Sequence, residues 1–160
     1  MVILHTGQTG AERGADRAAR AVGLSVGGFC SFEKRDELGA LPAEIVADLT
    51  PCPSRGARSA LRATLDDATV LLICVPDANA PNAETGIEAL RRHARKAGKE
   101  TRIVDPNTDL VALAQWLYTL GDSRVMITGP RGTRWPAGER VGWRVVAEMS
   151  LNAPHVARAS

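Results

Sequence analysis

Apolar positions come in short runs separated by stretches of helical spacing. Val2–His5 opens the chain as a strand, and Val70–Val75 is apolar on both alternating faces, as a strand covered on each side by helices requires. Thr101–Val104 and Val125–Thr128 repeat the run, so these four segments are expected as interior or near-interior strands. Helical spacing predicts helices at Glu12–Val22, from Ser54 or Arg55 to Asp67, and at Ala83–Lys96, Leu110–Leu120 and Glu139–Met149. Gly23 and Gly98 stop two of them. Leu24–Phe29 is interrupted by glycine and reads as a poor strand or a ligand-facing loop, and Asp36–Leu49 is ambiguous. Repeated strand–helix alternation predicts an α/β fold of three layers with a mainly parallel central sheet. It spans a single domain over 1–154, with a frayed tail at 155–160.

Composition narrows the class. A chain of 160 residues can bury a core without metal or disulfide support, and 44% apolar with 24% charged residues fits a globular protein. A net charge of +2 is far short of what a general nucleic-acid binder carries. Cys30, Cys52 and Cys74 form no metal-binding spacing; Cys74 is expected inside a strand, Cys30 and Cys52 nearer the surface. The N-terminus does not read as a leader and no long apolar run occurs, so a cytoplasmic protein with no membrane partner is expected.

Chemistry concentrates in the first loop. Thr6-Gly7-Gln8-Thr9-Gly10 follows a strand and precedes a helix, so the free N–H groups of the first helical turn make an anion site. Gly7 and Gly10 allow close backbone approach, Gln8 and Thr9 carry polar side chains, and Arg13 lies in the first turn. The loop is neither a GxGxxG fingerprint nor a GxxxxGK[ST] phosphate loop. Two arginine ladders follow: Arg13, Arg17 and Arg20, and then Arg55, Arg58 and Arg62. A solvated face explains Arg17 and Arg20 at least as well as a site does, and Arg62 can pair with Asp66, which leaves Arg58 as the candidate of the second ladder. Gly129, Arg131 and Thr133 form a further loop beyond a strand end, on the sheet edge where ligands of such folds bind.

These residues resemble the proteins named as molybdenum-cofactor carriers, within a Rossmann-like superfamily that includes the cytokinin-activating phosphoribohydrolases. The family pattern GGQTGVDRAAL is similar to Thr6–Asp16, matching at Gly7, Gln8, Thr9, Gly10 and Arg13, with Glu12 replacing an aspartate and Thr6 a glycine. GGWCPKGR and its acidic, glycine-ended continuation resemble Gly27–Lys34 with Glu37 and Gly39. Arg58-Ser59 with Asp67–Val70, and Thr128–Thr133, match two later patterns, so the resemblance covers about residues 3 to 135. Departures stand at Phe32 (lysine in the family), Arg62 (asparagine) and Ala83-Glu84-Thr85 (a glycine-rich GGT).

The resemblance implies a carrier or sensor of a phosphorylated pterin-type molybdenum cofactor or a nucleotide. Gly7, Gln8, Thr9, Gly10, Arg13, Lys34, Arg58, Gly129, Arg131 and Thr133 would hold that ligand, with no protein-bound metal. Two alternatives stay open: a nucleotide-processing phosphoribohydrolase, or a homo-oligomeric regulator with a vestigial pocket. In a hydrolase, Glu88 falls three positions after Thr85, as the relatives' catalytic glutamate would, and Glu84 is the second candidate; helix-surface placement is the plain reading of Glu88. No serine elbow or usable Cys/His pair occurs, and His5, His93 and His155 form no metal motif. Trp116, Trp135 and Trp143 suit core or subunit contacts, and a homodimer is expected through the helices Ser54–Asp67 and Ala83–Lys96.

Overall fold

A computed structural model describes residues 1–153; the expected tail 155–160 with His155, and the last residue of the expected domain span, lie outside the described residues. Five parallel strands make the central sheet: β1 (Val2–Leu4), β2 (Ser25–Gly27), β7 (Val70–Cys74), β8 (Glu100–Val104) and β9 (Arg124–Thr128). Between β2 and β7 lie the two-residue strands β3 (Phe29–Cys30), β4 (Arg35–Asp36), β5 (Gly39–Ala40) and β6 (Thr50–Pro51), which form two small separate pairings. Six helices complete the described chain: α1 (Ala11–Val22), α2 (Ala43–Asp48), α3 (Ala57–Asp67), α4 (Ile87–Lys96), α5 (Leu110–Thr119) and α6 (Gly138–Leu151).

The sheet order is β2-β1-β9-β7-β8. Counted from β9 as a first strand, followed by β1, β2, β7 and β8, this becomes the 3-2-1-4-5 order of a dinucleotide-type sheet. The last strand in sequence therefore holds the central place that the first strand takes in the ordinary connectivity. Every residue of β7 is buried, because α1, α5 and α6 cover one face and α3 and α4 the other. Each large apolar side chain so enclosed contributes about 1.5–3 kcal/mol.

Helices α1 and α6 pack backbone against backbone. A Cβ at Gly14 would stand 1.8 Å from the carbonyl oxygen of Glu139, and one at Gly142 would stand 2.0 Å from that of Ala11. The small side chains of Ala11, Ala15, Ala18 and Ala19 line the buried side of α1. The seating is too tight for α1 to shift on its strand without α6.

Several expectations need correction. Leu24–Phe29 takes the first of its two readings, as the short edge strand β2, and the ambiguous Asp36–Leu49 resolves into the β4–β5 hairpin and α2. Helix α3 starts at Ala57, beyond Ser54 and Arg55. The expected helix Ala83–Lys96 starts only at Ile87: Pro81–Ala83 make a single tight turn, and Gly86, at φ 84°, breaks the path before α4. Strand β8 lies at the sheet edge. Cys30 and Cys52 are buried, because Cys30 joins Leu41, Ile45 and Leu49 in a small core beneath the hairpin and β6 carries Cys52 in beside it. Burial pushes the Cys74 thiol up to about 12, with the nearby Glu12 charge adding to the shift.

Candidate functional site

The loop from β1 to α1 is held from within. Glu12, buried at the helix start, accepts from Thr6 N–H (2.7 Å), Thr6 Oγ1 (2.7 Å) and Gln8 N–H (3.2 Å) through one oxygen, and from Thr128 Oγ1 (2.8 Å) through the other. Two loop N–H groups that sequence spacing offers to a ligand are therefore consumed by a side chain. His5, fully buried, accepts from Gly7 N–H at Nδ1 (3.0 Å) and places Nε2 3.1 Å from Asp16, which fixes its proton on Nε2. Burial alone would raise the Asp16 carboxyl, but hydrogen bonds from His5 and Arg20 outweigh it and hold the group below its usual range. His5 is thus a structural imidazole of the loop.

What stays open is the end of α1. The N–H groups of Ala11, Glu12 and Arg13 reach no acceptor among the described residues. Gly10, at φ 85°, precedes them, and a Cβ there would stand 2.6 Å from the Pro130 carbonyl oxygen, so the loop after β9 touches the loop after β1. Thr9 Oγ1 accepts from Gly132 N–H at 2.8 Å and donates its own proton to Glu37.

Two concavities meet at this point. The larger, about 530 Å³, runs along α1 past Thr9, Gly10, Arg13 and Arg17 to Gly132, Thr133 and Glu139. The smaller, about 240 Å³, is bordered by Gln8, Ser31, Arg35, Glu37, Ala57 and Arg131. The β4–β5 hairpin divides them, and Glu37 at its tip reaches Thr9 in the larger one. Burial alone would raise the Glu37 carboxyl; the Thr9 hydroxyl, with further help from Arg131, holds it below its ordinary value. Its other oxygen, Oε2, is buried with no hydrogen-bond partner among the described residues. Gln8 is in the same condition: its Nε2 donates to the Arg35 carbonyl at 3.3 Å, while Oε1 is buried and unpartnered.

The arginine candidates separate. Arg13 donates to the Gly7 carbonyl (2.7 Å) and pairs with buried Asp36 (2.6 Å). Arg17 pairs with Glu139 at 2.8 Å on the rim, and Arg20 braces Asp16 and Asp48. Arg131 and Thr133 are exposed at the two openings, and Gly129 packs against the end of β7, where a Cβ would stand 2.5 Å from the Cys74 carbonyl oxygen. Lys34 is exposed at the turn leading into the hairpin, with φ 50°. Arg58 is exposed on α3 and borders neither concavity, although Ala57 beside it does. Glu88 lies on the surface of α4, 3.2 Å from Arg92. Glu84 pairs with Arg134 at 2.8 Å, and Thr85 accepts from Arg134 Nη1. Arg62 does not pair with Asp66, which instead meets His93 at 3.2 Å. Trp135 is buried, Trp143 is partly exposed beneath Arg17, and Trp116 carries Arg102 over its ring.

Sequence reasoning missed Asp36 and Arg134, and it met Glu12 and Glu37 only as parts of a pattern. Glu12 sits with Asp16 on the buried side of α1 among alanines and Gly14, and that small-residue surround is the local signal for its burial. The end of α1 thus offers N–H donors, and Gln8 Oε1 and Glu37 Oε2 offer acceptors. Among the described residues no group of three His, Cys, Asp or Glu side chains is placed to hold a metal, and no helix is long and apolar enough to cross a membrane.

Residues 3–149 match the model of a family described as the circularly permutated YpsA SLOG family. The strand order, with β9 in the central place, is what such a permutation produces. The crystal structure of the putative molybdenum carrier protein from Syntrophus aciditrophicus SB superposes with a TM-score of 0.77 at 19% identity, over 92% of this chain and 93% of that one. At that identity the likeness is one of fold. No curated protein matches the sequence.

Proposed function

Because the chain belongs to the circularly permutated YpsA SLOG family, we propose that it binds a phosphorylated small molecule, a nucleotide or a pterin-type molybdenum cofactor, as a carrier or sensor. The observation that carries this reading is the end of α1: three N–H groups without acceptors among the described residues lie at a helix start whose flanking residues Thr9, Gly10 and Arg13 border the larger concavity with Gly132 and Thr133. A phosphate there gains the helix dipole as well as the N–H donors. Arg17, whose exposed pair with Glu139 is weak, is free to turn toward the phosphate, and Arg131 guards the neighbouring opening. Gly7 and Arg13 serve the same site indirectly, by fixing the loop. When bound, a molybdenum cofactor would bring its own metal as cargo, held through the phosphate and the ring atoms.

Binding without bond cleavage is the favoured reading. Glu88 is turned to solvent and Glu84 is engaged by Arg134, so neither borders the two concavities. Isothermal titration with GMP and with 6-hydroxymethylpterin phosphate, each against its dephosphorylated parent, tests the proposal. The phosphorylated member of at least one pair should bind on the order of ten-fold or more tightly than its parent. Equal affinities within both pairs, or no binding by any of the four, would overturn it.

A further inference from the structure

The smaller concavity contains a combination that the protein itself leaves unanswered: two buried acceptors, Gln8 Oε1 and Glu37 Oε2, without a donor. Gln8 is only 9% exposed, and the Arg35 carbonyl takes its amide nitrogen, so the oxygen is fixed as the free atom. Glu37 is fixed in the same way, since its Oε1 is engaged by the Thr9 and Thr133 hydroxyls. A buried acceptor without a partner is costly, so two such atoms on residues that border one concavity favour a molecule that brings donors.

We infer that this concavity reads a ring edge bearing adjacent N–H and NH₂ donors, the 2-amino-4-oxopyrimidine edge shared by guanine and pterins. The inference rests on the phosphate site proposed above. The hairpin tip places Glu37 between the two concavities, so a phosphate at the end of α1 and a ring beside Gln8 belong to one extended ligand. A carboxylate oxygen and an amide oxygen together accept from the ring N–H and the exocyclic amine. Inosine offers only the ring N–H at that edge, and adenine has an acceptor in its place. Gln8 and Glu37 are thereby the residues that select the ring, while the loop ends hold the phosphate.

Titration of the full chain with GMP, IMP and AMP separates the two levels. The expected order is GMP, then IMP, then AMP, with GMP on the order of ten-fold tighter than IMP and a further ten-fold tighter than AMP. Gln8→Met and Glu37→Gln, each checked for an unchanged unfolding midpoint, should reduce the GMP preference; one folded variant suffices. Comparison of 6-hydroxymethylpterin phosphate with GMP then shows which ring carries the edge in the preferred ligand, and tighter binding of either one supports the inference. Equal affinities for GMP, IMP and AMP overturn the ring inference and leave phosphate binding intact. No binding by any of the phosphorylated probes overturns both. If Glu37→Gln tightens all three nucleotides equally, Glu37 acts only as an internal stand-in for phosphate, and the ring inference falls.

Discussion

The arginine rows Arg13-Arg17-Arg20 and Arg55-Arg58-Arg62 both use spacings of three and four, with opposite results. On α1, Arg13 is 18% exposed and holds both the Gly7 carbonyl and Asp36, while Arg20 braces Asp16 and Asp48. In the second row, Arg55, just ahead of α3, is 77% exposed, lies 3.6 Å from Glu33 and stacks on Phe32, while Arg58 and Arg62 on α3 extend into solvent. The difference lies in what surrounds each ladder. Beside α1 the chain places a buried aspartate, a hairpin and a second helix in backbone contact. An arginine row is thus a site element or a solvated face according to carboxylates that are distant in sequence.

The largest test of this contrast is the seating of α1. Gly142→Ala forces a Cβ against the Ala11 carbonyl and should cost at least roughly 3 kcal/mol, read as a fall in the urea midpoint. A variant with the parent midpoint would show that α1 can move freely and would erase the distinction from α3. Next comes Arg13→Ala, which strands Asp36, itself 3% exposed, and should cost roughly 2 kcal/mol. Loss of phosphate affinity with no loss of stability would instead make Arg13 a direct ligand.

A smaller effect is expected from acid. Asp16 is held below its usual range when folded and regains an ordinary value near about 4 on unfolding. A depressed carboxyl contributes its stability above the unfolded value and loses it as pH falls through the folded one. Urea midpoints should therefore hold down to about pH 4 and fall below it, with a shallower acid limb in Asp16→Asn. Equal slopes for the two proteins would deny Asp16 this role. The smallest expected effect is Arg58→Ala, which should leave the urea midpoint unchanged. A clear shift would show that the α3 ladder is also braced.

Much of the sheet was legible, since Val70–Val75 and Val125–Thr128 are apolar on both faces and only a central parallel strand requires that. Residues 24–51 were not, because strands of two residues have no period and their positions depend on remote partners such as the Arg35 carbonyl bonded to Gln8. The position of the glycine loop between β1 and α1 could be read from spacing alone. That Glu12 would take the loop's own N–H groups could not: one of its partners is Thr6, but another is Thr128, 116 residues away. Cys30 misled for a similar reason, as the core that covers it is assembled from α2 and the residues flanking it, Leu41 and Leu49.

The central place of β9 has a consequence for how the molecule comes into being. Val2 pairs with Arg124 and Val70 with Val125, so β1 and β7 both wait for a neighbour that lies far along the chain. Until then the nascent chain presents two unpaired edges of apolar strand, and α1 lacks the helix that clamps it. Such late closure by distant segments favours slow folding and exposure to chaperones on the ribosome. The loop cluster built across that seam exists only once β9 has joined the sheet.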